Sequence, residues 1–194
     1  MKQRGHAIRE PVIALIGIMI LMTIQTIYQT NLNIWQIVGA IVVIMIAIYS
    51  YYSGKKYQRE CSWKTKFKAL ILGACVMVTA VGINAIITGL PITNHLYKTI
   101  SLNLIIYNCL LAPIAEESIY RQLLYGNWQT ITGKWYGRII TGMIFVLMHY
   151  PQTPSLWLYY ILATIALYVA YELSGNDMRV SMVLHLINNL TVII

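Results

Sequence analysis

Residues 115–121 read AEESIYR, and they place Glu116, Glu117 and Arg121 just after Pro113 in an otherwise apolar run. A charged side chain at the centre of a bilayer costs about 2.5–3.5 kcal/mol on insertion scales, so three of them together need a physical reason. The flanking residues make the question unavoidable. The run extends from Ile100 to about Leu124, long enough to cross a hydrocarbon core of about 30 Å.

Working outward, similar apolar runs recur at Val12 to about Tyr28, Ile34 to Tyr52, Ala69 to Leu90, Leu156 to about Leu173 and Met178 to Ile194. A weaker one, Arg138 to Tyr150, covers only about 20 Å at 1.5 Å per residue. It is stopped by YPQTP, whose prolines lack backbone donors and disfavour helix in the residues before them. Of the 194 residues 58% are hydrophobic and 10% charged, against about 25% charged in a soluble domain, which sets the class as a membrane protein. The expected fold is an all-α polytopic bundle of about seven transmembrane or membrane-embedded helices. Residues 1–194 read as a single transmembrane domain, with short loops, no linker and no repeat.

The net charge of +8 would suggest nucleic acid as a bulk number, but its placement excludes that reading. With the N-terminus cytoplasmic and seven spans, every one of the 14 Lys and Arg except Lys98 falls on or near the cytoplasmic side, as the positive-inside rule requires. This predicts a multi-pass protein of the cell membrane with its C-terminus outside. The basic loop around Lys55 to Lys68 is then placed to touch anionic lipid headgroups. The first apolar run is too long for a signal-peptide core and no small-residue cleavage site follows it, so a retained helix is expected. Cys61, Cys75 and Cys109 are scattered and odd in number, which argues against a disulfide framework or a cysteine metal cluster.

Few other ionisable groups lie at membrane depth. His6 falls in the N-terminal tail and His95 in an outer loop, whereas His149 ends the fifth run and His185 lies in the last. Counted from the expected cytoplasmic ends of their runs, Glu116 is about 12 Å deep, His185 about 10 Å and His149 about 16 Å. Polar groups at one depth on several helices predict a shared site facing the bundle interior. Glu117 and Arg121, at i and i+4, are spaced for an ion pair along one helix. Glu116 lies about 100° around that helix and points to a different face. His185 and Asn189 are also i and i+4, and Phe145 lies one turn before His149, where it can wall a pocket. Pro113 is expected to break the helix near Cys109 or Leu110, where it removes the partner of a carbonyl.

EESIYR fits E-E-x-x-x-R, FVLMH fits F-x-x-x-H and HLINN fits H-x-x-x-N, in that order, across about residues 112–189. In this the chain resembles the CAAX protease and bacteriocin-processing family of intramembrane proteases, also called the Abi family. The resemblance implies an endopeptidase that hydrolyses membrane-associated peptides. Glu116 would activate water, His149 position it, and His185 and Asn189 donate to the oxyanion, with Glu117, Arg121 and Phe145 in support. It also leaves open a metalloprotease, with Glu116, His149 and His185 holding a divalent ion such as zinc in place of a metal-free mechanism. Members often have Gly after the motif arginine, where this chain has Gln122. No H-E-x-x-H is present, which excludes a soluble-type zincin. Expected partners are membrane lipid and a peptide or small membrane-associated protein, with peptide processing or bacteriocin self-immunity favoured over CAAX maturation. The alternative is a non-catalytic immunity or scaffold protein that binds such a peptide uncut. A small transporter is disfavoured, because no pair of interrupted helices repeats between the two halves.

Overall fold

The computed structural model of the chain describes residues 2–29, 33–89 and 102–193. His95, Lys98 and the expected run ends at Leu90, Ile100 and Ile194 lie outside them. Among the described residues every long element is helical and none is a strand. In chain order they are α1 (Lys2–Gln29), α2 (Asn33–Gly54), α3 (Trp63–Thr88), α4 (residues 102–132), α5 (Lys134–Met148), α6 (Pro154–Leu173) and α7 (Met178–Ile193). A short 3₁₀ turn, Lys55–Tyr57, extends α2.

Three segments, Ile34–Tyr57, Trp63–Thr88 and Pro154–Leu173, are long and apolar enough to cross a membrane. The first helix is longer than its apolar part, which is confined to Val12–Ile24. The fifth, at 15 residues, reaches only about 22 Å. Along α2 the side chains of Ile37, Ile41, Ile44 and Ile48 form an exposed stripe at helical spacing. In water such a stripe would be a liability, and in a bilayer it is the surface that lipid covers.

Local signals account for the helix ends. Ser62 caps α3 by accepting from the Thr65 amide, and Gly89 closes it in a left-handed conformation at φ 68° with its N–H on Ala85 O. Thr153 caps α6 in the same way through the Leu156 amide, with Pro154 at the first helical position, where its missing donor costs nothing.

The chain packs as two compact units, Met1–Tyr57 with Thr99–Gly137 and Gln58–Lys98 with Arg138–Ile194. In the first, α1 and α2 both lie against α4. Leu21, Ile24, Val43, Tyr107, Leu111, Ala112 and Ala115 form its apolar core, and the Tyr107 hydroxyl donates to Leu21 O at 3.4 Å. Glu10, a buried acid on α1, is met by Lys56 Nζ at 2.8 Å and the Tyr57 hydroxyl at 3.3 Å.

In the second unit α3 packs along α6, and α7 lies against both. The close approach is set by Gly73, where an added Cβ would come within 2.7 Å of Leu184 Cδ2 and 3.0 Å of the Ala166 carbonyl. Helix α5 is fastened to α6 by Arg138, whose Nε and Nη2 meet the two Glu172 oxygens at 2.6 and 2.5 Å. The turn between α6 and α7 is held from the start of α3: Arg59 N–H donates to Gly175 O at 2.8 Å and Lys66 Nζ to Asp177 Oδ2 at 2.7 Å. Gly175, at φ 81°, is also where Arg59 O would lie 2.5 Å from a Cβ, so backbone angle and space both demand glycine.

Two measurements follow from this packing. Gly73→Val is expected to cost about 1–3 kcal/mol in detergent unfolding by forcing α3 and α6 apart. Gly82→Ala, with nothing within 4 Å of the added Cβ, should be neutral or gain up to about 1 kcal/mol. Burial alone raises the Asp177 carboxyl, but hydrogen bonds from Arg179 and Lys66 outweigh it and bring the pKa from 3.8 to about 2. A carboxyl held low in the fold stabilises above its unfolded value and ceases to do so as pH falls through the folded one. The unfolding temperature is therefore expected to drop between pH 3.8 and about 2, and Asp177→Asn should flatten that part of the profile.

Candidate active site

The acidic stretch sits in α4, whose backbone changes register twice. α-Helical turns at Leu102–Ile106, Ala112–Glu116 and Gly126–Thr132 alternate with π-helical ones at Tyr107–Leu111 and Glu117–Tyr125. Pro113 explains the first. It has no N–H to give the carbonyl four residues back, and the ladder shifts there, with the Ala112 amide reaching Tyr107 O, five residues away. The expected break near Cys109 is thus a widened turn. The second π segment begins at Glu117, and Ser50 of α2 supports it by donating to the Ser118 carbonyl at 2.8 Å. Widened turns of this kind recur at functional sites.

Within that segment Arg121 Nη1 lies 3.1 Å from Glu117 Oε1, and neither side chain is exposed. Glu116, on the last α-helical residue before it, is only partly buried. Gln122, where the family resemblance leads one to expect glycine, is wholly buried. The glycine is supplied from elsewhere: a Cβ on Gly54 of α2 would fall inside the Gln122 side chain. The larger residue on α4 is accommodated by the smallest one on the helix facing it.

The other candidate groups belong to the second unit. His149 follows the last residue of α5, and Pro151 prevents the helix from continuing. The end tightens, so the His149 amide donates to Val146 O at 3.1 Å, three residues back. The Phe145 carbonyl, which a regular turn would pair with that amide, meets the His149 ring instead, at 2.8 Å from Nδ1. A carbonyl only accepts, so Nδ1 carries a proton, and in the neutral ring Nε2 holds the lone pair. Two rings hold the imidazole from the sides, Phe145 with centroids 4.5 Å apart and Tyr160 of α6 at 4.6 Å.

His185 of α7 is buried, its ring 6.0 Å from the same Phe145 ring. One phenyl therefore touches both imidazoles. Asn189, a turn further on, is partly buried, and its Oδ1 accepts from Asn188 Nδ2 at 3.4 Å. Phe145, His149 and His185 are thus one cluster, while Glu116, Glu117 and Arg121 lie in the first unit. Among the described residues no group of three His, Cys, Asp or Glu is gathered to hold a metal ion.

Tyr160, Tyr159 and Asn188 were not singled out by sequence. Tyr160 reads as core because an aromatic in an apolar helix usually is, and Asn188 is overshadowed by its neighbour in the motif.

The sequence model of the type II CAAX prenyl endopeptidase Rce1-like family matches residues 98–191, a segment that contains all three motifs. Over this segment the chain is similar to the Rce1-like family. No curated protein and no solved structure matches the chain. The Rce1-like match supports an intramembrane endopeptidase of CAAX-protease type in general.

Removing one partner of a buried ion pair leaves the other charge uncompensated. Arg121→Leu is expected to lower stability by about 3–5 kcal/mol, while Glu117→Gln with Arg121→Met should recover most of the loss. Equilibrium unfolding in detergent of the wild type and the two variants checks this.

Proposed function

We propose that the chain hydrolyses peptide bonds of membrane-associated peptides, with Glu116 as the base that activates water. The observation that carries this reading is the tie from His149 Nδ1 to the Phe145 carbonyl, which fixes the ring and presents Nε2 as an acceptor for a water proton. In the proposed step a water held by Nε2 gives a proton to the Glu116 carboxylate as its oxygen attacks the scissile carbonyl carbon. The carbonyl π pair moves to oxygen, and the resulting oxyanion takes hydrogen bonds from His185 and from the Asn189 amide, which donates without adding charge. Collapse breaks the C–N bond, and the proton on Glu116 passes to the departing amine. No step is routed through a metal.

The substrate class follows from the setting. A candidate site on membrane-embedded helices acts on what the membrane delivers, namely a lipid-modified or amphipathic peptide. The matched family is named for prenylated CAAX tails. For this chain peptide processing or bacteriocin self-immunity at the cell membrane is the proposed role, with the N-terminus cytoplasmic and the C-terminus outside.

The test is cleavage in detergent of a quenched-fluorescence peptide carrying a prenylated cysteine, together with an unmodified amphipathic peptide. Glu116→Ala and His149→Ala are expected to lower kcat/KM at least 100-fold, within the range for loss of a general base. Chelator treatment should leave the wild-type rate unchanged. Full activity in both folded variants would sink the reading. Protection of cells from a peptide toxin by uncleaving variants would instead favour binding without hydrolysis.

A further inference from the structure

Two adjacent tyrosines on α6, outside the three motifs, reach the motif side chains of the second unit. Tyr160 packs on the His149 ring, and Tyr159 stands edge-on to Tyr160 with centroids 5.1 Å apart. Tyr159 and Asn188 are both buried. The Tyr159 hydroxyl donates to Asn188 Oδ1 at 3.1 Å and accepts from Asn188 Nδ2 at 2.9 Å. An amide NH2 carries two protons, and the second is directed to Asn189 Oδ1 at 3.4 Å.

We infer that Tyr159 and Asn188 are positioning residues that fix which way the Asn189 amide faces. An asparagine side chain is close to symmetric in shape, so only its hydrogen bonds decide which end is carbonyl and which is NH2. With its oxygen held by Asn188, the Asn189 NH2 is the end turned away from that contact. An oxyanion needs a donor of this kind, whereas a flipped amide would present a second negative dipole to it. A tie serving helix packing alone would be complete with Tyr159 and Asn188, as interhelical hydrogen bonds commonly are. The continuation to Asn189 links that tie to the chemistry. In low dielectric such a chain of hydrogen bonds is reinforced, since each one polarises the next.

This inference rests on the reading of Asn189 as an oxyanion donor, and a double-mutant cycle separates the two. Tyr159→Phe, which removes only the hydroxyl, is expected to lower kcat roughly tenfold, the effect of one net hydrogen bond, with KM and unfolding temperature near wild type. Asn189→Ala should lower kcat by about 100-fold or more. In the Asn189→Ala background Tyr159→Phe should cost nothing further, because the group it orients is gone. An equal loss in both backgrounds, or no loss in the wild-type background, would overturn the positioning role while leaving the proposed function standing. Wild-type activity in Asn189→Ala would overturn the oxyanion reading and this inference with it. If Tyr159→Phe does not accumulate, Asn188→Ser enters the same cycle with the same expected outcomes.

Discussion

The Glu117–Arg121 pair is the constraint around which the first unit is arranged. Each ion costs several kcal/mol to bring out of water, and the attraction between them offsets this only when the geometry is good. At 3.1 Å, with both side chains wholly buried, the two charges compensate each other. Their i, i+4 spacing makes the contact local to one helix, so it can form before any other helix is in place. Two of the three charges of the acidic stretch thereby offset each other within one helix. The surrounding elements follow from that: α1 and α2 pack on the π segment, Ser50 meets its Ser118 carbonyl, and Gly54 yields its space to Gln122.

Two prolines act in a similar way on the backbone. Pro113 widens α4 just before the glutamates, and Pro151 ends α5 so that a carbonyl is left for the His149 ring. Pro113 has no amide hydrogen for the carbonyl four residues back, whereas at the end of α5 the tightened turn diverts the His149 amide to Val146 O and leaves the Phe145 carbonyl to the ring, each beside a candidate catalytic group. Glutamate and histidine are thus set by the failure of regular helix around them, which costs stability locally and supplies orientation in return.

Much of this was legible in the sequence because hydropathy and helical spacing are local signals. The apolar runs foretold an all-α fold, YPQTP marked the end of α5, and the spacing of Glu117 and Arg121 foretold their contact. The π turns were not legible, since a register shift of one residue leaves the apolar pattern of a buried helix unchanged. The fit of Gln122 over Gly54 joins residues 68 positions apart and appears only once α2 and α4 pack. Tyr160 stayed hidden for a different reason: nothing local distinguishes an aromatic that clamps an imidazole from one that fills a core. Phe145 and Asn189 stood out through their motifs, whereas Tyr159, Tyr160 and Asn188, which pack or hydrogen-bond against the motif side chains or one another, lie outside any motif spacing.

The account divides two adjacent glutamates by role, Glu117 holding the fold and Glu116 performing chemistry, and that division is measurable in one experiment. Cleavage rate and unfolding temperature are read together on Glu116→Gln and Glu117→Gln, prepared in the same detergent. The account predicts that Glu116→Gln unfolds close to wild type but cleaves at least 100-fold more slowly, and that Glu117→Gln is the variant that loses stability. A Glu116→Gln protein that is folded and cleaves at the wild-type rate would contradict it.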